Sequence, residues 1–230
     1  MATLTHRLPF IAEGQAQPHV THNAALDLID AALQRVALSA SMTSPPPSPA
    51  DGAVYLLPTG ASGWGDAGPG DLAIWSGGLW HRVAPVLGWR WHVADEGRAR
   101  VFDGVAWRPG DIAGPAGSTL GLAIFERVID LSGASVTVPG LLPNRASIIG
   151  VTSWTIQTVT GATSYSVGRS VGASEFGGSL GVAAGSSNVG GVGQFFTYAP
   201  GDVVVTAAGG NFTGGRVGLS VAAILPGPGR

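Results

Sequence analysis

The strongest constraint on the fold is a short unit that occurs twice within a tryptophan-rich stretch. Six of the seven tryptophans lie between Trp64 and Trp107. Residues 73–81 and residues 100–108 share one pattern: an aliphatic and an aromatic residue, a turn residue, glycine, two further residues, tryptophan and a basic residue. Short β-branched and aromatic runs around a Ser-Gly or Asp-Gly turn are typical of β-hairpins. The repeat therefore predicts a small sheet of related hairpins, and no catalytic set is visible within it.

Charge and cysteine content argue against several classes of function. The chain has 12 basic and 14 acidic residues and a net charge of -2, and its basic residues, all of them arginine, are scattered along the sequence. This pattern predicts neither a nucleic-acid partner nor binding to an anionic membrane. The absence of cysteine excludes disulfides and thiolate chemistry. No apolar run approaches the roughly 18 residues of a transmembrane helix, and residues 1–10 lack the core of a signal peptide, so we expect no export by that route.

The share of glycine and of apolar residues predicts β-structure covered by other copies of the chain. Glycine accounts for 37 of 230 residues, whereas only 11% of residues are charged and 45% are hydrophobic. Continuous apolar runs such as residues 203–205 indicate strands that are buried on both faces. We interpret this as a sign of a subunit interface.

The N-terminal region predicts an extended arm followed by one amphipathic helix. Residues 4–20 contain Pro9, Gly14 and Pro18 and read as the arm, whereas the apolar positions of residues 23–40 follow helical spacing. Thr21 or Asn23 would cap the start of this helix. Its apolar stripe would pack either on the hairpin sheet or on the same helix of another copy. The residues predicted to dock or to trimerise are Leu28, Ile29, Leu33 and Val36.

The rest of the chain predicts a mainly β protein with three domains. The proline-rich residues 44–49 and the Gly-rich residues 111–118 read as linkers, and residues 53–57 read as a strand. The predicted domains are residues 1–44, a hairpin domain over residues 50–113, and a jelly-roll-like β-sandwich over residues 119–230. The predicted sandwich strands are residues 122–131, 135–138, 147–160, 164–167, 180–183, 194–198, 203–207 and 216–225.

Candidate catalytic and metal-binding patterns are weak. Residues 177–181 match the Gly-x-Ser-x-Gly pattern of hydrolases, but every histidine lies at or before His92, whereas the hydrolase order needs a histidine after the serine. His19 and His22 lack a third metal ligand nearby and are better read as a polar helix start. Asp95 and Glu96 are adjacent, so their side chains point apart in a strand. We therefore expect neither a catalytic residue nor a metal ion nor a cofactor.

The chain resembles a family of unassigned function that is found in prophages and gene transfer agents of alphaproteobacteria. The resemblance rests on residues 8–26 and on three later pieces, residues 71–75, 88–96 and 101–107. Four further stretches resemble the β-domain that commonly follows this family, namely residues 144–151, 160–164, 176–181 and 210–217. The resemblance implies a fibre or spike subunit of a phage-like particle, assembled in the bacterial cytoplasm and forming a homotrimer. Its N-terminal region would dock to the tail baseplate or to other particle proteins, and the family offers no catalytic residues to transfer.

We expect the C-terminal sandwich, rather than the tryptophan-rich hairpins, to meet a bacterial surface polysaccharide. The hairpin region has few other large side chains for a core, so most of its tryptophan rings are expected to be buried. The predicted saccharide contacts are Trp154, Tyr165, Phe176, Tyr198, Arg145, Arg169 and Arg216. Two alternatives are a tailspike that degrades polysaccharide, which would need two carboxylates across a groove, and a particle component that binds no ligand.

Overall fold

The computed structural model describes residues 11–33, 35–191 and 193–229, and it divides into two compact units. The first unit comprises the chain up to Gly121 together with the short segment from Gly227 onward. The second unit comprises residues 122–226. The predicted mainly β fold class with one helix is confirmed for the described residues.

The bounds predicted for the helix are wrong at both ends. Helix α1 runs from Pro18 to Leu33, so it starts within the predicted arm, with proline at the first helical position, where its missing N–H is harmless. Thr21 is not a cap but lies inside the helix, where its hydroxyl accepts a hydrogen bond from Gln15 Nε2. Beyond the helix, Val36 and Ala37 form a strand instead of a further helical turn. The predicted arm over residues 4–10 lies outside the described residues.

The first unit contains two sheets rather than the single hairpin sheet predicted. One sheet has the order β2-β3-β4 and the other β1-β5-β6-β7. Strand β1 pairs in parallel with β5, and the remaining described pairs in these two sheets are antiparallel. The strands of this unit are β1 Val36–Ala37, β2 Val54–Leu56, β3 Leu72–Ser76, β4 Leu79–Val83, β5 Arg90–Val93, β6 Arg98–Phe102, β7 Trp107–Pro109 and β8 Ile112–Ala113.

Both copies of the repeated unit form the predicted hairpins. In the first copy Trp75 lies opposite Trp80 in the β3–β4 pair, and in the second Phe102 lies opposite Trp107 in the β6–β7 pair. The aromatic residue and the tryptophan of the repeat are therefore a cross-strand pair, which is the unit of stabilisation in a sheet. The first turn uses Gly77 and Gly78 at φ 59° and 81°, the left-handed conformation that a two-residue hairpin loop needs.

The tryptophans build the core of the first unit, as predicted. Trp64, Trp91 and Trp107 are buried, and Trp75, Trp80 and Trp89 are half-buried against the same apolar clusters. Trp80 packs edge-on against Trp64, with 4.7 Å between ring centroids. The sheet β2-β3-β4 lies between two apolar clusters, since Leu56 and Tyr55 point into different ones. The rings are thus structural.

The second unit is a β-sandwich with jelly-roll strand order. One sheet has the order β10-β16-β12-β13, and the other has the order β14-β11-β17-β9 with β15 pairing on β11. Strands β14 and β15 pair along the same edge of β11, so each sheet has four strand positions in this unit, and their order corresponds to the eight-stranded jelly roll. The strands are β9 Thr119–Asp130, β10 Ser135–Leu142, β11 Ala146–Thr160, β12 Ser164–Gly168, β13 Gly177–Leu180, β14 Ser187–Gly190, β15 Phe195–Thr197, β16 Gly201–Ala208 and β17 Gly214–Gly227.

Val203, Val204 and Val205 are all buried, but this chain itself covers them. Val203 and Val205 point into the sandwich core. On the outer side of the same sheet a loop over residues 169–175 covers β12 and β16: Gly172 N donates to Thr206 Oγ1 at 3.0 Å, and a Cβ on Gly168 would lie 2.7 Å from Ala173 Cβ. The inference from these valines to a subunit interface is therefore wrong.

Two sandwich strands differ from the prediction. Strand β14 was not predicted, because it spans only Ser187–Gly190 and Val189 is its single strand-favouring residue. Strand β13 ends at Leu180, where the predicted strand begins. The other predicted strands match observed ones within a few residues.

Two glycines in the second unit give a matched test of packing. Gly161 and Gly172 have nearly the same φ, +84° and +79°, but a Cβ on Gly161 would lie 2.2 Å from Asn211 O, whereas a Cβ on Gly172 would meet nothing within 4 Å. We expect Gly172→Ala to cost about 1 kcal/mol through backbone strain. Gly161→Ala should cost about 3 kcal/mol or more, because it adds a clash with backbone. Thermal unfolding followed by circular dichroism tests this, and equal losses in the two variants would contradict the packing described.

Candidate functional site

Two of the predicted saccharide contacts belong to the core of the sandwich. Tyr165 is 2% exposed and Phe176 is 1% exposed. The Tyr165 hydroxyl shares a hydrogen bond of 3.1 Å with Thr155 Oγ1, and Phe176 stacks on Phe195 with 6.2 Å between ring centroids. These two predictions are wrong, because neither ring is accessible to a saccharide.

Three further predicted contacts lie at the surface but are engaged with neighbouring groups. Arg169 pairs with Glu175 at 3.2 Å and lies over the Phe195 ring, 5.2 Å from its centroid. Arg216 pairs with Asp130 at 2.8 Å. Trp154 is half-buried, and its indole covers Gly218 so closely that a Cβ there would lie 2.1 Å from the ring. Each of these side chains therefore has a structural role in the sandwich.

Arg145 and Tyr198 are brought together at one end of the sandwich. Ala146 lies opposite Thr197 in the β11–β15 pair, so Arg145 and Tyr198 occupy the next positions outward on neighbouring segments. Thr197 Oγ1 fixes these segments, since it accepts from Ala146 N and donates to Pro143 O. Both residues are exposed, Tyr198 to 86%. An exposed ring and a guanidinium at neighbouring positions are the combination that stacks on a sugar and binds an acidic substituent.

Sequence reasoning missed the exposed aromatic side chain next to this pair. Phe196 lies opposite Ser147 and is also exposed. Residues 195–198 contain three aromatic residues and Thr197, and their pairing with β11 places Thr197 inward and Phe196 outward. Alternation along this run could have indicated it, because neighbours in a strand point to opposite faces.

The first unit contains a cleft of about 370 Å³ whose cations are already neutralised. Trp107 and Leu56 contribute to its lining, and Arg100 and Arg108 supply its positive charge. Arg108 pairs with the fully buried carboxylate of Asp103 at 3.1 Å. The same carboxylate accepts hydrogen bonds from the backbone of residues 105 and 106 and so fixes the second hairpin turn. The cleft is therefore part of the hairpin framework rather than a ready anion site.

Glu96 neutralises the second cation of this cleft. Its carboxylate accepts hydrogen bonds from Arg100 Nη2 at 2.6 Å and from Arg98 Nε at 3.0 Å. Arg100 also donates to Trp107 O at 3.1 Å, which ties the network to the hairpin. Burial on its own raises the pKa of Glu96, but the hydrogen bonds and charges of Arg100 and Arg98 outweigh it and lower that pKa below its ordinary value.

In the described structure, the weak catalytic patterns of the sequence do not have the geometry that catalysis or metal binding requires. Residues 177–180 of the Gly-x-Ser-x-Gly match form strand β13, not the strand-turn-helix that a nucleophile elbow requires. His19 and His22 are exposed on α1, and within the described ranges no group of three metal-ligating side chains is found. Asp95 is exposed, whereas Glu96 belongs to the arginine network.

The residues predicted to dock or trimerise are only partly on the helix. Ile29 and Leu33 lie on α1 and are exposed, Leu33 to 78%. Leu28 is also helical, but its side chain lies outside the described set. Val36 is exposed on strand β1 and not on the helix, because that segment pairs with β5.

Part of the chain matches a known family. Residues 22–108 match the model of a family described as Protein of unknown function (DUF2793). This segment covers α1 from its second turn onward and both hairpins, and it accounts for less than half of the chain. The expected resemblance to a family of unassigned function is confirmed over this segment.

Other comparisons add little. The search of curated proteins gave no match. A solved structure titled "Cyanophage Pam1 capsid asymmetric unit" is similar at 20% identity, with a TM-score of 0.36, over 46% of this chain and 86% of that chain. A likeness at this level establishes neither a shared fold nor a shared function. In the part of the chain that the structure describes, no helix has the length and apolar character needed to cross a membrane.

The Glu96 network predicts a pH-dependent loss of stability. Since the pKa of Glu96 is lower in the folded protein, the carboxylate stabilises the fold above the unfolded pKa of about 4.3. This contribution is lost as the pH falls through the folded pKa. We expect Glu96→Gln to cost about 1–2 kcal/mol near pH 7, and the difference from the wild type should vanish in strong acid.

Chemical denaturation at a series of pH values measures this difference. Asp95→Asn is the control, because it removes an adjacent exposed carboxylate outside the network. A loss in Glu96→Gln that stays constant down to low pH would show that its charge is not the cause.

Proposed function

We propose that this protein is a structural subunit of a phage-like particle and that its C-terminal sandwich binds a polysaccharide of the host surface. The observation that carries the proposal is the eight-stranded jelly roll of the second unit, an architecture common in viral capsid proteins and lectins. The resemblance of the N-terminal region to a family found in prophages and gene transfer agents supports the particle setting. On this proposal the protein is a virion component, assembled in the bacterial cytoplasm, that acts as a fibre or spike.

The proposed binding surface is the end of the sandwich that carries Arg145 and Tyr198. Their segments are fixed through Thr197, so a ligand would meet a preformed surface, which lowers the entropic cost of binding. The tyrosine ring would stack on a sugar, and the guanidinium would bind a carboxylate or sulfate substituent. Nothing in this surface calls for catalysis, and we propose an adhesive role without turnover.

The proposed docking element is helix α1. The side chains of Leu26, Ile29 and Leu33 follow one stripe of the helix and are exposed. An exposed apolar stripe on a helix favours packing on another protein. Of the two packing options for this helix, its exposure favours contact with other subunits or with particle proteins. A homotrimer held at this helix would suit a fibre.

Association with particles tests the structural role. We expect the chain to cosediment with nuclease-resistant particles from the bacterium that encodes it, and an antibody against it to label them in electron micrographs. Ile29→Glu combined with Leu33→Glu should reduce incorporation at least about tenfold, because two charges replace the apolar contact. Leu79→Glu is the control, since Leu79 is exposed in the first unit outside the helix. A chain that stays entirely in the soluble fraction would contradict the particle role.

Binding of the purified protein to host cells tests the adhesive role. We expect binding to encapsulated cells, no binding to cells without the polysaccharide, and no shortening of the purified polymer. Tyr198→Ala combined with Arg145→Ala should weaken binding roughly tenfold or more, whereas Arg127→Ala, at an exposed position of strand β9, should not. Shortening of the polymer would contradict the absence of turnover, and equal binding to both cell types would contradict the polysaccharide as receptor.

A further inference from the structure

The outer face of one sandwich sheet carries an uncovered apolar surface. The sheet is β14-β11-β17-β9, and β15 also pairs on β11. Its inward side chains, such as Ile148 and Leu219, belong to the core. The large apolar side chains that alternate with the inward ones are exposed. They are Leu122, Ile124, Val128, Ile149, Val189 and Phe196, and we call this surface the apolar outer face.

The strand register shows that these residues share one side of the sheet. Val189 lies opposite Thr152, and Thr152 lies opposite Ser220. Phe196 and Ile224 both lie opposite Ser147. On β9, Phe125 and Ile129 pack against the core. Because neighbouring side chains in a strand point to opposite faces, Leu122, Ile124 and Val128 point outward. The apolar outer face therefore extends across all strands of the sheet.

The apolar outer face exposes a large amount of apolar surface. Taken together, the exposed fractions of its six large residues correspond to roughly 650 Å², which is comparable to the upper end of the about 300–600 Å² typical of the largest apolar patch of a monomer. Strands β11, β14 and β15 contain no charged residue. In this sheet, charged residues occur only on β9 and at Arg216 of β17, and Arg216 forms an ion pair with Asp130 of β9. Glu126 alternates with Ile124 and Val128, on the strand at the edge of this unit.

We infer that the apolar outer face is an interface between copies of this chain. Its area is close to the roughly 800 Å² that each partner buries in a stable interface of standard size. A face without charge at its centre does not repel an identical face, so it is suited to self-association. Two positions of β11 and β17 carry small residues, Gly150 and Ala222, which allow the sheet of a second copy to approach closely, whereas the Trp154 indole covers Gly218.

Other occupants fit this surface less well. A membrane surface would favour lysine and arginine around the apolar patch, but the chain has no lysine, and the exposed Arg127 and Arg216 of this sheet are accompanied by the exposed acids Glu126 and Asp130. The inference does not rest on the proposed function, because it concerns the sheet face and not the helix or the Arg145–Tyr198 end. A failure to bind cells would leave it unaffected.

Two exposed valines of the second unit provide a matched test in the full chain. Val189 is 80% exposed on the apolar outer face, and Val171 is 67% exposed in the loop that covers β12 and β16, in the other sheet. By sedimentation velocity we expect the wild type to be an oligomer. Val189→Glu should raise the apparent dissociation constant at least about tenfold, and Val171→Glu should leave it unchanged. Circular dichroism checks that both variants are folded.

A labelling experiment gives an independent readout, because the chain contains no cysteine. In Val189→Cys the thiol should react with a maleimide about tenfold more slowly than in Val171→Cys at concentrations where the oligomer forms. The two rates should converge on dilution. If Val189→Cys reacts slowly and its labelling becomes faster on dilution, the result supports the interface directly, even where the Val189→Glu substitution impairs folding.

Several outcomes would overturn the inference. A wild-type chain that stays monomeric at about 100 μM, well above the dissociation constant of a stable interface, would do so. So would an oligomer that Val189→Glu and Val171→Glu weaken equally, or one in which the two thiols react at equal rates. A monomer that floats with phosphatidylcholine vesicles through this face would identify a lipid surface as the occupant instead.

Discussion

The two-residue alternation of the long strands β11 and β17 is the constraint on which the second unit depends. These strands are neighbours in the sheet, and their inward residues, among them Val151, Leu219 and Val221, form much of the sandwich core; a bulge between Ile148 and Gly150 interrupts the alternation in β11. Because successive side chains point to opposite faces, every inward residue commits its neighbour to the outside. Their outward neighbours are mostly small or apolar, and Arg216 is the charged exception. The same two strands therefore supply both core residues and much of the weakly charged centre of the outer face.

The parts of the fold that could be predicted are those set by local sequence. Each hairpin of the repeat brings together residues only five positions apart, such as Trp75 with Trp80 and Phe102 with Trp107. Turn glycines and aromatic pairs are visible in such a short stretch. The sandwich strands were also predictable, because turn residues separate runs of strand-forming residues.

The failures occurred where distant contacts decide the structure. Val36 and Ala40 fit the helical spacing of the preceding residues, but the observed burial alternates as in a strand, since Val36 and Leu38 are exposed whereas Ala37 and Ser39 are buried. The strand forms because Val36 and Ala37 pair with His92 and Val93, far along the chain. Tertiary contacts of this kind override local propensity. Strand β14 was missed for the same reason, because its pairing with β11 and not its composition defines it.

The residue types of the candidate site could be predicted from the sequence, but their positions on the folded chain could not. Aromatic and arginine side chains are needed both in a core and on a saccharide-binding surface, and sequence alone does not separate the two uses. Tyr165 and Val167 have the same parity in β12 and both point inward, whereas Tyr198 follows a strand that ends at Thr197. Arg169 and Arg216 are held by nearby carboxylates. Only pairing across β11 and β15 places the chain segments of Arg145 and Tyr198 next to each other.

The low charge of the chain affects both its core and the inferred contact between copies. Arginines that line the cleft of the first unit, Arg100 and Arg108, are paired with Glu96 and Asp103, so much of the scarce charge is used to hold hairpins and turns. Little remains to keep the sheet of the second unit apart from another copy, and a largely apolar surface of that size lowers its free energy by leaving water. Burial between copies follows from the same composition that allows the tryptophans to fill the core of the first unit.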